Sequence, residues 1–329
     1  MKAKFMSAMG ASRWLLAVAL TFGAAQVAQA QNYPNRQIKM ILPFAAGGAG
    51  DTFARLLVQA LSQSLGQPVV IENIVGAAAI IGTQVAARAP ADGYTLLMVS
   101  NALAIGETMS PKRGYLLMRE FTPVTQLNAL SLVLVTNPKL PVKSVAELIA
   151  LAKSQPGKLN YASSGVGSIY HLPMEHLKSM AKIDIQHVPY KSSSQARMDV
   201  IAGEPAMMMD ALATMQGQIK ENQVRAIGVA SLKRTETAPD IPAIAETVPG
   251  YSGDAWLGFM APAGTPPEIV NRLQAEIAKV LATPEVKAAY RAQDAVPIAS
   301  TPAAFGTFLN DEIDKWGKAI RSAGVPVQE

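Results

Sequence analysis

The chain has 329 residues, of which 50% are hydrophobic and 16% charged, with a formal net charge of +5 and no cysteine. That profile is globular, and it excludes disulfides and thiolate metal sites, so stability has to come from burial. Three of the 29 basic residues and none of the 24 acids fall in residues 1–30, so the remainder carries 26 basic against 24 acidic residues, a balance that argues against a nucleic-acid binder.

Residues 1–30 read as a secretory leader. Lys2, Lys4 and Arg13 precede an apolar core from Trp14 to Ala25, and Ala28-Gln29-Ala30 is an A-x-A cleavage site. The core is too short for a permanent span, and no cysteine follows the site to carry a lipid. The expected product is the remaining 299 of the 329 residues, free in the periplasm or outside the cell and long enough for two lobes.

Gln37 to Pro43 reads as a first strand, followed by the small-residue turn Ala45 to Asp51 and a helix whose Phe53, Leu57, Leu61 and Leu65 share one face, ended by Gly66. Pro68 to Asn73 is a second strand; Gly76-Ala77-Ala78-Ala79 leads from it into a helix from Ile80 to Ala89. Tyr94 to Val99 is a third strand with the polar tip Ser100-Asn101. Three strand–helix units in succession imply a mainly parallel sheet with its loops gathered at the carboxyl ends of the strands, where ligands bind. Pro111 to Glu120 has no clear period and reads as loop or irregular helix.

The pattern restarts at Leu130 to Val135, a strand, and continues with a helix from Val142 to Ser154 and the strand-like Leu159 to Ala162. Next comes Ser163-Ser164-Gly165-Val166-Gly167-Ser168-Ile169-Tyr170-His171. Small residues between a strand and a helix let a ligand come close to backbone N–H groups and hydroxyls, which converge on an anion. Pro173 forces the following helix to begin near Tyr170 or to kink in its first turn. Ile185 to Tyr190 is a strand, Lys191 to Ser194 a hydroxyl-rich turn, Gln195 to Ala202 a helix, and Ala206 to Met209 a strand ending at Asp210. Val224 to Val229 is one more strand, and Lys233 to Gly250, dense in Pro, Thr and acids, is a loop or linker. Trp256 to Pro262 is a buried strand, followed by helices from Pro266, from Pro284 and after Pro302. Two starts of the sheet pattern imply two α/β lobes with a cleft between them.

The loops Ala45 to Asp51, Gly76 to Ala79, Ser163 to His171 and Lys191 to Ser194 are therefore the candidate binding elements, with Asn101 at the tip of the third strand and Tyr190 ahead of the turn that holds Ser192. Each backbone-lined helix start favours a carboxylate by roughly 0.3–1 kcal/mol, so four loops on one cleft hold a small anion without arginine. The alternative for any one of them is a tight turn and nothing more. His171 either presents a ring nitrogen to a ligand or packs as a helix N-terminal residue. Asp210 either takes a ligand amine or hydroxyl or caps the next helix, and Asp51 is open in the same way, with Arg55 one turn on. Three scattered histidines lack zinc-site spacing. There is no G-x-S-x-G elbow, no phosphate-binding G-x-x-x-x-G-K-[ST] and no G-x-G-x-x-G; a Ser164–His171 pair has no orienting acid, and catalysis is not expected.

Pro43-Phe44-Ala45-Ala46-Gly47-Gly48 with Asp51, Glu72-Asn73 with Gly76 and Gly82, Asp92 to Leu97, Tyr161 to Gly165 with Gly167-Ser168 and His171-Leu172, His187 to Lys191, and Leu257 to Pro266 form an ordered set along the chain. This set resembles the substrate-binding proteins of tripartite tricarboxylate transporters, the Bug family. The resemblance implies a periplasmic binding protein of the type II-like Venus-flytrap kind, two α/β lobes closing on one small organic carboxylate: a citrate-like acid, dicarboxylate, acidic amino acid or aromatic acid. Residues 31–130 plus 250–329 would form lobe I and residues 131–249 lobe II. It places the carboxylate against Phe44, Ala46, Gly47 and Ala77 of the first lobe and Ser163, Ser164, Gly167, Ser168 and His171 of the second. It implies a monomer without cofactor or metal that delivers its ligand to a two-component permease; the alternative is a flytrap sensor that signals to a membrane protein. Alanines after Gly76, and Ser192 and Ser193 where the family usually has glycine, imply a smaller or more hydrogen-bonding pocket.

Overall fold

The structure is a computed structural model that describes residues 33–47 and 49–327; the leader assigned to residues 1–30 lies outside the described residues. The first half runs β1 (Ile38–Leu42), α1 (Ala49–Leu65), β2 (Val69–Asn73), α2 (Ile80–Ala87), β3 (Thr95–Ser100), α3 (Asn101–Met109), the single turn α4 (Leu117–Glu120) and β4 (Phe121–Leu130). Then come β5 (Leu132–Thr136), α5 (Val145–Ser154), β6 (Asn160–Ser163), α6 (Leu172–Ala181), β7 (Gln186–Pro189), α7 (Ser193–Ala202), β8 (Met207–Ala211), α8 (Leu212–Lys220) and β9 (Arg225–Val229). The chain finishes with β10 (Ala255–Pro262), α9 (Pro267–Leu281), α10 (Pro284–Arg291), β11 (Ala295–Pro297) and α11 (Pro302–Ser322). No helix among the described residues is long and apolar enough to cross a membrane.

Two sheets result, ordered β11-β4-β10-β3-β1-β2 and β7-β6-β8-β5-β9. In the first, β1 pairs in parallel with β2 and β3, and β10 lies antiparallel between β3 and β4, so β1 to β4 share a direction. In the second, β6 is parallel to β7 and β8, while β5 is antiparallel to β8 and β9. The two strands that arrive from the other lobe, β5 and β10, run against both of their neighbours; the short edge strand β11 also runs against β4. A chain entering a sheet from the cleft side has to run opposite to strands that end there. The carboxyl ends of β1, β2, β3 and β4 therefore all face the second lobe.

Each sheet is covered on both faces, which is why its strands read as unbroken apolar runs. Met40, Leu42, Leu96 and Met98 point into the core shared with Phe53, Leu57 and Leu61 of α1 and Leu273 and Ile277 of α9. Their sequence neighbours Ile41, Leu97 and Val99 point the other way, against Leu103 of α3 and Phe305, Leu309 and Trp316 of α11. In the second lobe Leu132, Leu134, Met207 and Met209 take one face, and Val133, Val135 and Met208 the other. The second core extends past residue 249: Tyr251 and Ala255 belong to it, and the Tyr251 hydroxyl donates to the Pro173 carbonyl at 3.0 Å.

Two crossings join the lobes, one at Ser131 and the other over residues 230–254. They are stitched together where they pass: Gly253 N–H donates to Ala230 O, Ala230 N–H to Leu132 O, and Ser231 Oγ lies 3.2 Å from Ser131 Oγ and donates to Asp254 Oδ1 at 2.9 Å. Burial pushes the Asp254 carboxyl up to about 7, against which the Ser231 and Leu132 hydrogen bonds work. The last helix, α11, belongs to the first lobe but also packs on α6 of the second, with the His176 and Trp316 rings 6.2 Å apart.

Candidate functional site

Asp51 organises the first loop. It sits in the first turn of α1, where a carboxylate complements the exposed N–H groups, and it is buried. Its oxygens accept hydrogen bonds from Gly47 N–H at 2.9 Å, Arg55 Nε at 2.7 Å and Asn73 Nδ2 at 3.1 Å, and Asn73 Nδ2 also reaches the Phe44 carbonyl at 3.1 Å. The Arg55 guanidinium, then the Gly47 N–H, hold its carboxyl down at about 2. With its lone pairs taken, Asp51 fixes the Phe44–Gly47 loop to the end of β2.

The second loop is strained. Ala77, Ala78 and Ala79 have φ of 47°, 52° and 77°, three left-handed residues in a row at the start of α2. The left-handed region costs an L-residue roughly 1–2 kcal/mol. The turn presents methyl groups where bare backbone would otherwise lie.

In the second lobe the Ser163–His171 stretch is a chain of turns, with Ser168 N–H bonded to Gly165 O and His171 N–H to Ser168 O. Gly165 and Gly167 have φ of +115° and +77°, which explains glycine at both places. Helix α6 begins at Leu172, so Pro173 falls in the first turn, where its missing N–H costs nothing. His171 is buried behind the turns, and its Nδ1 accepts the Gly167 N–H at 3.1 Å. Its ring lies 4.0 Å from that of His187, whose Nε2 is 2.6 Å from Ser163 Oγ. Burial drives His171 down to about 3 and His187 down to about 4, so both rings are neutral and serve as a polar scaffold under the loop.

These loops meet at a cavity of ≈ 460 Å³ between the lobes, with Phe44, Ala45, Ala78 and Ala102 on one side and Val166, Gly167 and Ser168 on the other. A chamber of ≈ 280 Å³ adjoins it toward the crossings, walled by Ile169, Leu130, Trp256 and Leu257; Phe44, Ala45 and Ala102 line both. A third crevice, also ≈ 460 Å³, lies beside residues 235–237 and 294–297, away from the βα loops. Its Arg291–Glu236 pair is 3.4 Å apart and exposed on both sides, a weak surface interaction.

Of the predicted site residues, Phe44, Gly167 and Ser168 stand in the walls of the main cavity and Asn101 in the adjoining chamber. Ala46, Gly47 and Ala77 are exposed outside those walls, and Ser164 is half-buried without lining them. Ser163 and His171 lie behind the loop. Tyr190 packs against the second lobe's core, its N–H bonded to Ser163 O. Ser192 caps α7 by accepting the Gln195 N–H. Asp210 neither caps α8 nor faces the cavity: buried, it pairs with Arg197 at 2.8 Å and accepts the Ala211 N–H. Burial raises its carboxyl against the pull of Arg197. Asn101 is committed to structure, its Nδ2 donating to Asp254 O at 3.1 Å and its Oδ1 accepting the Trp256 N–H at 2.8 Å.

The sequence reading missed α3, which supplies Ala102, Ile105, Gly106 and Met109 to the cavity. Their spacing is that of one helical face, and Ser100 supplies the cap by accepting the Ala102 N–H at 3.2 Å. No group of three or more His, Cys, Asp or Glu among the described residues is placed to hold a metal ion.

Comparison with known proteins places this architecture. Protein BugT of Bordetella pertussis is 37% identical over 311 residues, 94% of this chain and 95% of that protein. Rpa4515 of R. palustris, solved with adipate, superposes with a TM-score of 0.74 at 33% identity, covering 90% of this chain and 100% of its own. MatC from Rhodopseudomonas palustris, with bound malate, gives 0.70 at 29% identity over 88% of this chain and 100% of its own. Residues 53–325 match the profile of the tripartite tricarboxylate transporter family receptor, and the chain belongs to that family, the TctC and Bug solute-binding proteins.

Proposed function

We propose that this protein captures a small organic carboxylate in the cleft between its lobes and delivers it, in the periplasm, to a membrane permease of the tripartite tricarboxylate type. The observation that carries this reading is the cavity itself: loops after β1, β2 and β3 face Gly167 and Ser168 of the other lobe across one space. Bound adipate and malate in relatives support a carboxylate as its occupant. Lobe I comprises residues 31–130 and the chain from about 250 on, and lobe II residues 131–249 with Tyr251 and Ala255 packed into its core, and the protein acts as a monomer after removal of residues 1–30. A ligand gripped by both lobes binds one arrangement of them better than another, and only such a ligand drives closure.

The test is a thermal-shift and calorimetric screen of organic acids against residues 31–329, where a binder raises the melting temperature with concentration as binding linkage requires. Gly167→Val should abolish the shift, because Gly167 has φ +77° and a Cβ there would stand 3.3 Å from Met109 Cε. Ser168→Ala removes the one hydroxyl on that wall of the cavity and should weaken binding about tenfold. Delivery is tested by uptake into vesicles holding the permease, which should need the ligand-loaded receptor. Failure of every acid to bind would sink the proposal.

A further inference from the structure

The two chambers differ in what they offer a ligand. The outer one has hydroxyls and backbone: Ser168 gives its own N–H to Gly165 O while its Oγ accepts only the His171 N–H, leaving its hydroxyl proton to donate. Across from it, the left-handed Ala77–Ala79 turn carries N–H groups that donate to no backbone carbonyl. The inner chamber is built from Phe44, Leu130, Ile169, Trp256 and Leu257, with two polar side chains, Ser100 and Asn101. Both amide atoms of Asn101 are bonded within the protein, and Trp256 Nε1 donates to Glu312 at 2.7 Å. One hydroxyl, that of Ser100, is the remaining side-chain donor there. Neither chamber has a Lys, Arg or His in its walls.

A carboxylate needs several donors when it leaves water, and an unpaired one in an apolar site is strongly disfavoured. The outer chamber meets that need once, and the inner chamber does not meet it. An inner volume of ≈ 280 Å³ also exceeds the roughly 150 Å³ in which a dry apolar cavity holds benzene. We infer that the ligand is a monocarboxylate with an apolar body, its charged group at the outer loops and its hydrocarbon against Phe44, Ile169 and Leu257 in the inner chamber. This rests on the receptor reading and narrows it, separating this chain from relatives that hold the diacids adipate and malate. Ala102, at the first turn of α3 where the chambers meet, sets how long that body can be.

Calorimetric titration of residues 31–329 with butanoate, pentanoate, hexanoate, phenylacetate, adipate and citrate tests it. Affinity should rise roughly fourfold per added methylene across the straight-chain series, the value of a CH₂ taken out of water. Phenylacetate should bind, and adipate should bind at least 100-fold more weakly than hexanoate, which differs from it by one terminal carboxylate. Ala102→Phe fills the mouth of the inner chamber and should flatten the chain-length dependence; if that variant fails to fold, Ile169→Phe, adding bulk to the half-buried opposite wall, should blunt it in the same direction. Adipate or citrate binding more tightly than hexanoate overturns the inference and leaves the receptor reading standing. If no acid binds, both fall together. Phenylacetamide binding as well as phenylacetate would overturn the placement of a charge at the outer loops.

Discussion

Replacing Asp254 with Asn isolates a proton-linked part of this protein's stability. The carboxyl sits where the two crossings touch, accepting hydrogen bonds from Ser231 Oγ and the Leu132 N–H, with Lys315 and Glu312 of α11 as the charged groups facing it. Burial raises it from 3.8 to about 7, so the folded state holds the proton more tightly than the unfolded chain does. Stability is therefore lost as pH rises from about 4 to about 7 and is level above that, by about 4 kcal/mol in all at about 1.4 kcal/mol per unit. Asparagine resembles the protonated acid and does not titrate. Urea unfolding of both proteins from pH 4.5 to 8 should show Asp254→Asn gaining on the parent by up to about 1.4 kcal/mol per pH unit, levelling off near pH 7. His171, His176 and His187, all depressed by burial, make stability fall as pH drops below 6.5, yet they do so in both proteins and cancel in the difference. A difference that stays constant across this range would refute the assignment of a raised carboxyl at the crossings.

Three further outcomes follow from the packing. Gly258→Ala puts a Cβ 2.2 Å from Phe305 Cζ and 2.9 Å from the Thr125 carbonyl, and should cost about 2–3 kcal/mol in denaturant unfolding, partly recovered by adding Phe305→Leu. Ala78→Gly relieves one of three left-handed residues and should raise stability by about 0.5–1 kcal/mol in the same assay; a loss would mean the methyl packs better than its φ suggests. Arg197→Met strips the buried Asp210 carboxylate of its partner and should cost about 3 kcal/mol, whereas the double variant Arg197→Met with Asp210→Leu should recover most of it.

Much of the fold was legible because both sheets are buried on two faces. Runs such as Leu132–Val135 and Met207–Met209 are apolar without interruption, and the loops between them carry glycine where the backbone turns left-handed. What escaped were α3, α8, β4 and β11. Strand β4 holds Thr122, Thr125, Gln126 and Asn128, and the last two sit in a strand because Ser300 Oγ accepts the Gln126 N–H while the Leu257 N–H of β10 donates to Asn128 Oδ1. Those partners lie more than a hundred residues away, so no local pattern announces them. At the cleft, three of the four turn sequences singled out do line the space between the lobes, whereas Lys191 to Ser194 does not, and none of them showed which atoms face inward. Ser163, His171 and Asp210 were attractive as chemistry, yet each is occupied by a neighbour: His187, Gly167 and Arg197. A side chain's partners are a property of the assembled fold, and the residues that do line the space are mainly small and apolar, which sequence alone does not mark as functional.

The reach of α11 across to α6 bears on how the halves can move. Glu312 accepts from both Trp256 Nε1 and Trp316 Nε1, pinning this helix to β10, while Ser322 Oγ meets Ser179 Oγ on α6 at 3.2 Å. The Gly167–Ser168 turn stands just ahead of α6. Any swing of the second lobe must then drag its cavity-facing turn along a track laid by the far end of the polypeptide, sliding rather than opening like a free jaw. Trimming the final helix would loosen that track and spoil the alignment of loops that it never touches.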